Sequence, residues 1–506
     1  MQEKQKKGLR TKALFAVLLA LGCVAATLAI TLVSNALQRS PLGVIDNALS
    51  DLALKQRRTT GQDKVVAPQD IIVIDIDDES LEKLGRIQLW PRAFDAGVIS
   101  YIASGGPLAI GLDVLYTEPD SLSQVYAALL KVKGIGNVEN ILRALSTDDS
   151  LASAIRNAGD VYLSFFDDDV SQQRPSDSLA AFFPPLYADK ITAQNFHRLR
   201  YPVLPIEVFR LAAKHSGAIN APRDADGTTR TYPLVQVLPF APKQDSLLLV
   251  ANFPVFMLLD HLKLPVSALK AAQGKIFFGG ERIVPVNDRA AMRLNWLGTD
   301  EHFRRISYYK VLEQKMPREF FKDKFVFLGT SAAGLQDIKN TPVGQLPGVE
   351  LHATALCNIL NETYLTEKNI FEVLLWLVLL ATVLQLVFQF MPPALGAILT
   401  IVAVAGEFLF FVLYLLPSQL VFIPVASFLI LTLLCYVSSL LYRYFTEGRE
   451  KLILKRAFET YVPPDVVQQV LDNSDALSLG GDKRFLTVLF SDIRGFTTYS
   501  EVLDPQ

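Results

Sequence analysis

Asp70–Asp77 reads DIIVIDID, and this stretch decides how the middle of the chain folds. Five of the six positions Ile71–Ile76 are aliphatic. A strand with one wet face would alternate apolar with polar residues, whereas a near-continuous run suits a strand covered on both sides. Similar runs follow in LAIGLDVLY (108–116), GDVYLSFF (159–166) and KFVFLGT (324–330). Between them lie stretches of helical character: AFDAGVISYIAS (93–104), DSLASAIRNAG (149–159) and GVELHATALCNILN (348–361). Strands alternating with helices of that length predict an α/β domain built on a largely parallel sheet. No period of twenty to fifty residues recurs, so the chain is not a repeat array.

Outward from this domain the sequence turns apolar. MQEKQKKGLRTK (1–12) carries five Lys or Arg and feeds the uncharged run ALFAVLLALGCVAATLAITLV (13–33). That run is long enough to cross a bilayer and too long for the apolar region of a cleaved signal peptide. Leu21–Cys23 has the look of a lipoprotein signal, but Ala20 stands where leucine is usual and the run continues past the cysteine. We read an uncleaved anchor. Three more spans are expected at 370–390, 394–416 and 420–441, separated by MPP and PSQ. The stretch YRYFTEGREKLILKR (442–456) is again basic. Basic flanks stay in the cytoplasm, and four spans put both ends on one side, so 34–368 is expected outside the membrane. In a bacterium that places the chain in the inner membrane as a multi-pass protein.

The 506 residues include 49 Lys or Arg and 51 Asp or Glu, a net charge of −2, so nothing global points to nucleic acid. The cysteines Cys23, Cys357 and Cys435 suggest neither a disulfide framework nor a metal site, and the five histidines form no ligand cluster.

Six ordered stretches, IDIDDESLEKLG (74–85), WPRAFDAGVISYI (90–102), GLDVLYTEPD (111–120), GAINAPRDADGTTRTYPL (217–234), FLGTSAAGLQDIKNTPVG (327–344) and PGVELHATALCNIL (347–360), together resemble the type-two CHASE domain. This is an extracytoplasmic input module of bacterial cyclases and kinases, and three following spans match its usual architecture. The resemblance implies a sensory receptor and leaves the exterior ligand unknown. Within it, DADG (224–227) lacks the spacing of a calcium loop and reads as a turn, with Arg230 either pairing with its aspartates or lying on the surface. The triplet Asp167–Asp169 reads as a solvated loop. GTSAAGLQD (329–337) either offers backbone N–H groups to an anion or packs a strand tightly against a helix. Glu407, alone in AVAGEFLFF (403–411), should face other helices, protonated or hydrogen-bonded.

Residues 442–482 read as a helical linker: a short apolar stripe through Leu452, Leu454, Ala457, Phe458 and Tyr461, then a second helix in VPPDVVQQVL (462–471). It serves either as a transmitter of motion or as a spacer. RFLTVLFSDIRGFTTYSE (484–501) alternates from Phe485 to Phe490 as a strand would, with Asp492 at its end and Thr498 and Glu501 at capping-box spacing. A carboxylate there is placed to hold a hard divalent ion against a triphosphate.

LFSDIRGFT (489–497) resembles the opening of the class III nucleotide cyclase domain, a ferredoxin-like α+β fold. The resemblance covers only 483–506. It implies that Asp492, with the backbone carbonyl of Ile493, would hold one of two Mg or Mn ions, and that Gly495, Phe496 and Thr497 would sit near the nucleotide. It further implies ATP as substrate, cyclic AMP and pyrophosphate as products, and a homodimer; guanylate cyclase is the sister activity. GGDK (480–483) precedes the metal strand, whereas in diguanylate cyclases the Gly-Gly motif follows it. The second aspartate, base-selecting residues and transition-state Arg/Asn pair do not occur before Gln506, so no complete catalytic set is expected in this chain, which reads as part of a longer receptor cyclase. A non-catalytic sensor that pairs with a separate cyclase is the alternative. A transporter would need more polar groups at mid-membrane than Glu407 alone.

Overall fold

The computed structural model describes residues 2–37, 40–59, 70–120, 147–168, 177–240, 246–280, 282–297, 302–335, 337–459, 485, 487–492 and 494–496. Two compact units emerge along the chain, Met1–Val437 and Ser438–Gln506.

The centre of the first unit is a seven-stranded sheet. Its strands are β1 (Ile71–Ile76), β2 (Ala109–Leu112), β3 (Val161–Asp167), β4 (Pro202–Val203), β5 (His215–Ala218), β6 (Arg304–Ser307) and β7 (Phe325–Thr330). They are ordered β6-β1-β7-β2-β3, with β3 also pairing parallel to β5 and antiparallel to the short β4. The other pairings are parallel.

Alternate residues of each strand enter different cores. Ile71 and Val73 join one apolar cluster, together with Phe325 and Phe327. Ile72, Ile74 and Ile76 join another, with Val326 and Leu328. This period of two, apolar on both sides, is why the aliphatic runs are nearly unbroken. One face is covered by α3 (Arg92–Ser104) and α4 (Asp148–Ala158), which follow α1 (Gln2–Ala36) and α2 (Pro41–Thr59) in the chain. The other is covered by α5 (Phe253–His261) and α6 (Gly348–Leu360). Two glycines permit that closeness. A Cβ on Gly217 would lie 2.4 Å from the backbone nitrogen of Phe253, and one on Gly329 would lie 2.5 Å from the Val349 side chain.

Among the described residues, four helices are long and apolar enough to cross a membrane: Lys12–Ala36 within α1, Ile370–Phe390 (α7), Pro393–Gln419, which begins as α8 (Pro393–Phe410), and Val425–Thr446 within α9 (Val425–Glu459). The last begins five residues later than the sequence suggested. Leu420 is left-handed (φ 54°), and Val421–Phe422 forms a short strand parallel to Thr366–Glu367, so the chain cannot enter a helix at 420. Cys23 and Cys435, far apart in sequence, share one buried cluster of the spans, where the Gln385 amide donates to the Cys435 carbonyl (3.0 Å). All three cysteines are free thiols.

Candidate functional site

Open parallel sheets bind ligands beyond the carboxyl ends of their strands. Here that edge gathers Asp75 near the end of β1 and Asp77 just after it, Asp113 after β2 and Ser331 after β7. Asp75 is buried and accepts from the Ser331 hydroxyl at 2.7 Å. Burial raises its pKa, against the pull of that bond and of Arg305 3.9 Å away. Arg305 also clamps the buried Glu350 of α6 through Nε (2.6 Å) and Nη2. Asp77 caps the helix Asp78–Leu84, accepting from the Ser80 amide at 2.8 Å, and accepts from the Ser307 hydroxyl of β6.

Deeper in, Tyr232 and His352 Nδ1 share a 2.7 Å hydrogen bond. His352 Nε2 stands 3.8 Å from Asp113, too far for a hydrogen bond. Burial pushes Asp113 up to about 8, with neighbouring Asp337 adding to the rise, and drops His352 to about 3. At neutral pH both are uncharged, so this pair is not a salt bridge. Burial has removed the charge that an ion pair would need.

GTSAAGLQD takes the tight-packing alternative. The N–H groups of Ser331 and Ala332, which an anion would require, both donate to the Ile76 carbonyl. Asp167 corrects the solvated-loop expectation. It is buried, and its carboxylate accepts from the amides of Arg200 (2.8 Å) and Tyr201 (2.6 Å), fastening the chain before β4.

A second cluster forms a collar where the domain meets the spans. Arg230, only 4% exposed, is the centre. It bonds Asp51 of α2 through Nε (3.0 Å) and Nη2 (2.7 Å), and also Asp224 and Asp226, each at 2.7 Å. Burial opposes its charge, but three carboxylates outweigh that and raise its pKa. The same guanidinium holds Asp226 down at about 2. Asp224–Gly227 is the expected turn, with Gly227 at φ 82° and its N–H on the Asp224 carbonyl. Of the two alternatives for Arg230, pairing is correct.

From α2 the collar reaches further. Arg57 donates to Asn295 Oδ1 (2.8 Å) and to the Trp296 carbonyl (3.1 Å), both in the α/β domain. Asn47 accepts from Arg293 (2.8 Å), whose guanidinium lies 3.6 Å over the Phe422 ring. Asp46 accepts from the amide of Ala426 at 2.7 Å, in the first turn of α9. Burial lifts Asp46 to about 6, with the Ala426 amide and Arg293 pulling the other way. One short helix therefore connects the domain core to the start of the fourth span. Nothing local in the sequence marks it, because its partners lie 179 to 380 positions away.

The C-terminal motif behaves differently. Ile493 and Thr497 lie outside the described residues, as do Thr498, Glu501 and 460–484. Asp492, Gly495 and Phe496 are exposed, and Gly495 has φ 83°. The strand expected over 485–490 is absent among the described residues there, which are irregular, with Phe485, Val488, Leu489 and Phe490 exposed. An isolated strand has no ladder partner and no core to enter. Among the described residues no group of three His, Cys, Asp or Glu could hold a metal.

The CHASE2 domain family model matches residues 24–387, which takes in the second half of the first span, α2 with its partners in the α/β domain, and the whole sheet. No curated protein and no solved structure matches the chain.

Proposed function

The chain belongs to the CHASE2 domain family, and from that premise we propose that it is a membrane sensory receptor whose α/β domain drives a class III nucleotide cyclase across the bacterial inner membrane. The observation that carries this reading is the collar. Arg230, inside the domain, holds Asp51 of α2, and the same helix caps the first turn of α9 through Asp46. A change in the domain that shifts α2 must alter how the fourth span begins, and that span leads into the segment carrying LFSDIRGFT.

In this reading the complete receptor converts ATP to cyclic AMP and pyrophosphate as a homodimer. Asp492 and the Ile493 carbonyl hold one of two Mg or Mn ions, which neutralise the triphosphate and activate the ribose hydroxyl. Gly495, Phe496 and Thr497 lie beside the nucleotide.

The test is a receptor chain that carries a whole class III catalytic domain after the fourth span, assayed with ATP and Mn²⁺. Cyclic AMP should form, Asp492→Ala should abolish it, and Asp46→Leu should change the rate without touching the catalytic domain. Cyclic GMP from GTP alone would transfer the assignment to guanylate cyclase. No cyclic nucleotide from that chain would overturn the cyclase part, and full activity in Asp492→Ala would remove Asp492 from the metal site. An unchanged rate in Asp46→Leu would remove the collar from signalling.

A further inference from the structure

A small pocket of about 50 Å³ opens beside the first residues of β5, the strand that ends the sheet next to β3. Phe182, the last residue of the 3₁₀ turn Asp177–Phe182, forms one wall with Phe183. Arg210 of the short helix Glu207–Ala212 forms the wall opposite, and Ser216 of β5 lies between. The sequence brings these pieces together through two rings. Phe183 packs edge-on against Phe165 of β3, and Phe209, next to Arg210, enters the core on the sheet's other face.

Arg210 sets this pocket apart from an ordinary crevice. Its guanidinium stacks on the Phe182 ring, 4.2 Å from the centroid, and its Nε is buried with no hydrogen-bond partner among the described residues. Glu207, one turn back and exposed, acts on it at a distance, while burial works against its charge. The neighbouring cation is already engaged. Lys214 Nζ lies 2.7 Å from Asp160 and 3.4 Å from Asp260, and Asp260 also accepts from the Tyr162 hydroxyl at 2.5 Å. His215, stacked on Phe256 at 4.8 Å, is held below its ordinary pKa by burial, against the pull of Asp260, and is neutral at pH 7. One positive group is left to meet a ligand, and the aspartates around Lys214 repel any second negative charge.

The lining defines the occupant. A guanidinium stacked through its face keeps the in-plane N–H fork that matches the two oxygens of a carboxylate. Ser216 adds a hydroxyl, and Phe183 and Leu204 add apolar surface. A buried water needs about 10–15 Å³ of such space, so the pocket has room for about four or five non-hydrogen atoms. We propose that it binds a short monocarboxylate of about two or three carbons, with the carboxylate on Arg210 and Ser216 and the alkyl end against Phe183 and Leu204. Such a ligand ties the turn Asp177–Phe182 to the helix Glu207–Ala212 and the start of β5. Its role as the exterior signal rests on the receptor reading, whereas binding is measured on this chain alone, so the two fail separately.

The experiment follows propionate by saturation-transfer NMR on the purified chain in nanodiscs, at constant ionic strength. A saturable signal is expected, and acetate should displace it. Arg210→Leu removes a charge-assisted pair and should weaken binding by about tenfold or more. Leu204→Trp fills the pocket without touching a charge and should abolish saturable binding, so the proposal stays testable if Arg210→Leu fails to fold. Pivalate has the same carboxylate on a bulkier body, and sulfate carries a second charge. Each should need about tenfold more than acetate to displace propionate. Pivalate displacing as well as acetate would mark Arg210 as an open surface cation and overturn the pocket. Sulfate displacing better than acetate would overturn the monocarboxylate. A signal that never saturates, or binding unchanged in Leu204→Trp, would overturn the site.

Discussion

At the carboxyl edge of the sheet, Asp113 and His352 sit in the interior as uncharged groups, whereas at the collar Arg230 keeps its charge among three aspartates. Both are buried polar clusters and both join distant parts of the chain. They differ in how they answer the penalty of removing charge from water. The edge gives up its charge, which leaves it responsive to protons and to any ligand that restores a partner. The collar balances its charge, which makes it a fixed coupling between domain and span.

The largest effect should come from breaking the collar. Arg230→Leu strands Asp51 beside a buried apolar side chain and should destabilise the protein by about 3–5 kcal/mol, toward the lower end because Asp224 and Asp226 are partly solvated. Thermal unfolding of the whole chain measures it. A loss under about 1 kcal/mol would show that the cluster is an ordinary surface network.

Next is the pH response of the edge. Asp113 titrates near 8 in the folded protein, above its ordinary value of 3.8. The native state therefore holds a proton that the unfolded chain releases, so Asp113's own contribution is fully present below pH 4 and is lost as pH rises towards 8, while below pH 6.5 the neutral His352 gives the opposite slope. Between pH 6 and 8 the fall should approach about 2–3 kcal/mol, and Asp113→Asn should flatten it. An identical slope in that variant would place the proton elsewhere.

Asp46 gives a smaller response of the same sign. Its folded value near 6 confines the fall to about pH 4–6, with about 1 kcal/mol lost over the last unit. Asp46→Asn keeps an oxygen to cap Ala426, so it should remove the slope without loosening the fourth span. Fraying of that span in Asp46→Asn, seen as faster amide exchange at Ala426, would mean that the cap needs the carboxylate.

The sheet was legible because its signal is local. Ile71–Ile76 and Phe325–Thr330 carry both core faces in a single run, and the helices between them show their own spacing. β6 was not legible: Arg304–Ser307 is the edge strand, pairs only with β1, and reads RRIS. The spans were visible from hydropathy, but the start of the fourth was set by Leu420 and by pairing with Thr366–Glu367. Asp167 looked solvated because the amides that bury it come from residues 200 and 201. The collar was hidden for the same reason. The alternation at 485–490 was visible, yet a strand forms only against neighbours, and its described residues stand exposed.

The central claim is that the α/β domain and the segment after the fourth span lie on opposite sides of the membrane, joined through the collar. Reporter fusions at Asp160 and at Asp475 test it directly. The account predicts an exterior signal at Asp160 and a cytoplasmic one at Asp475. A cytoplasmic signal at Asp160 would contradict it.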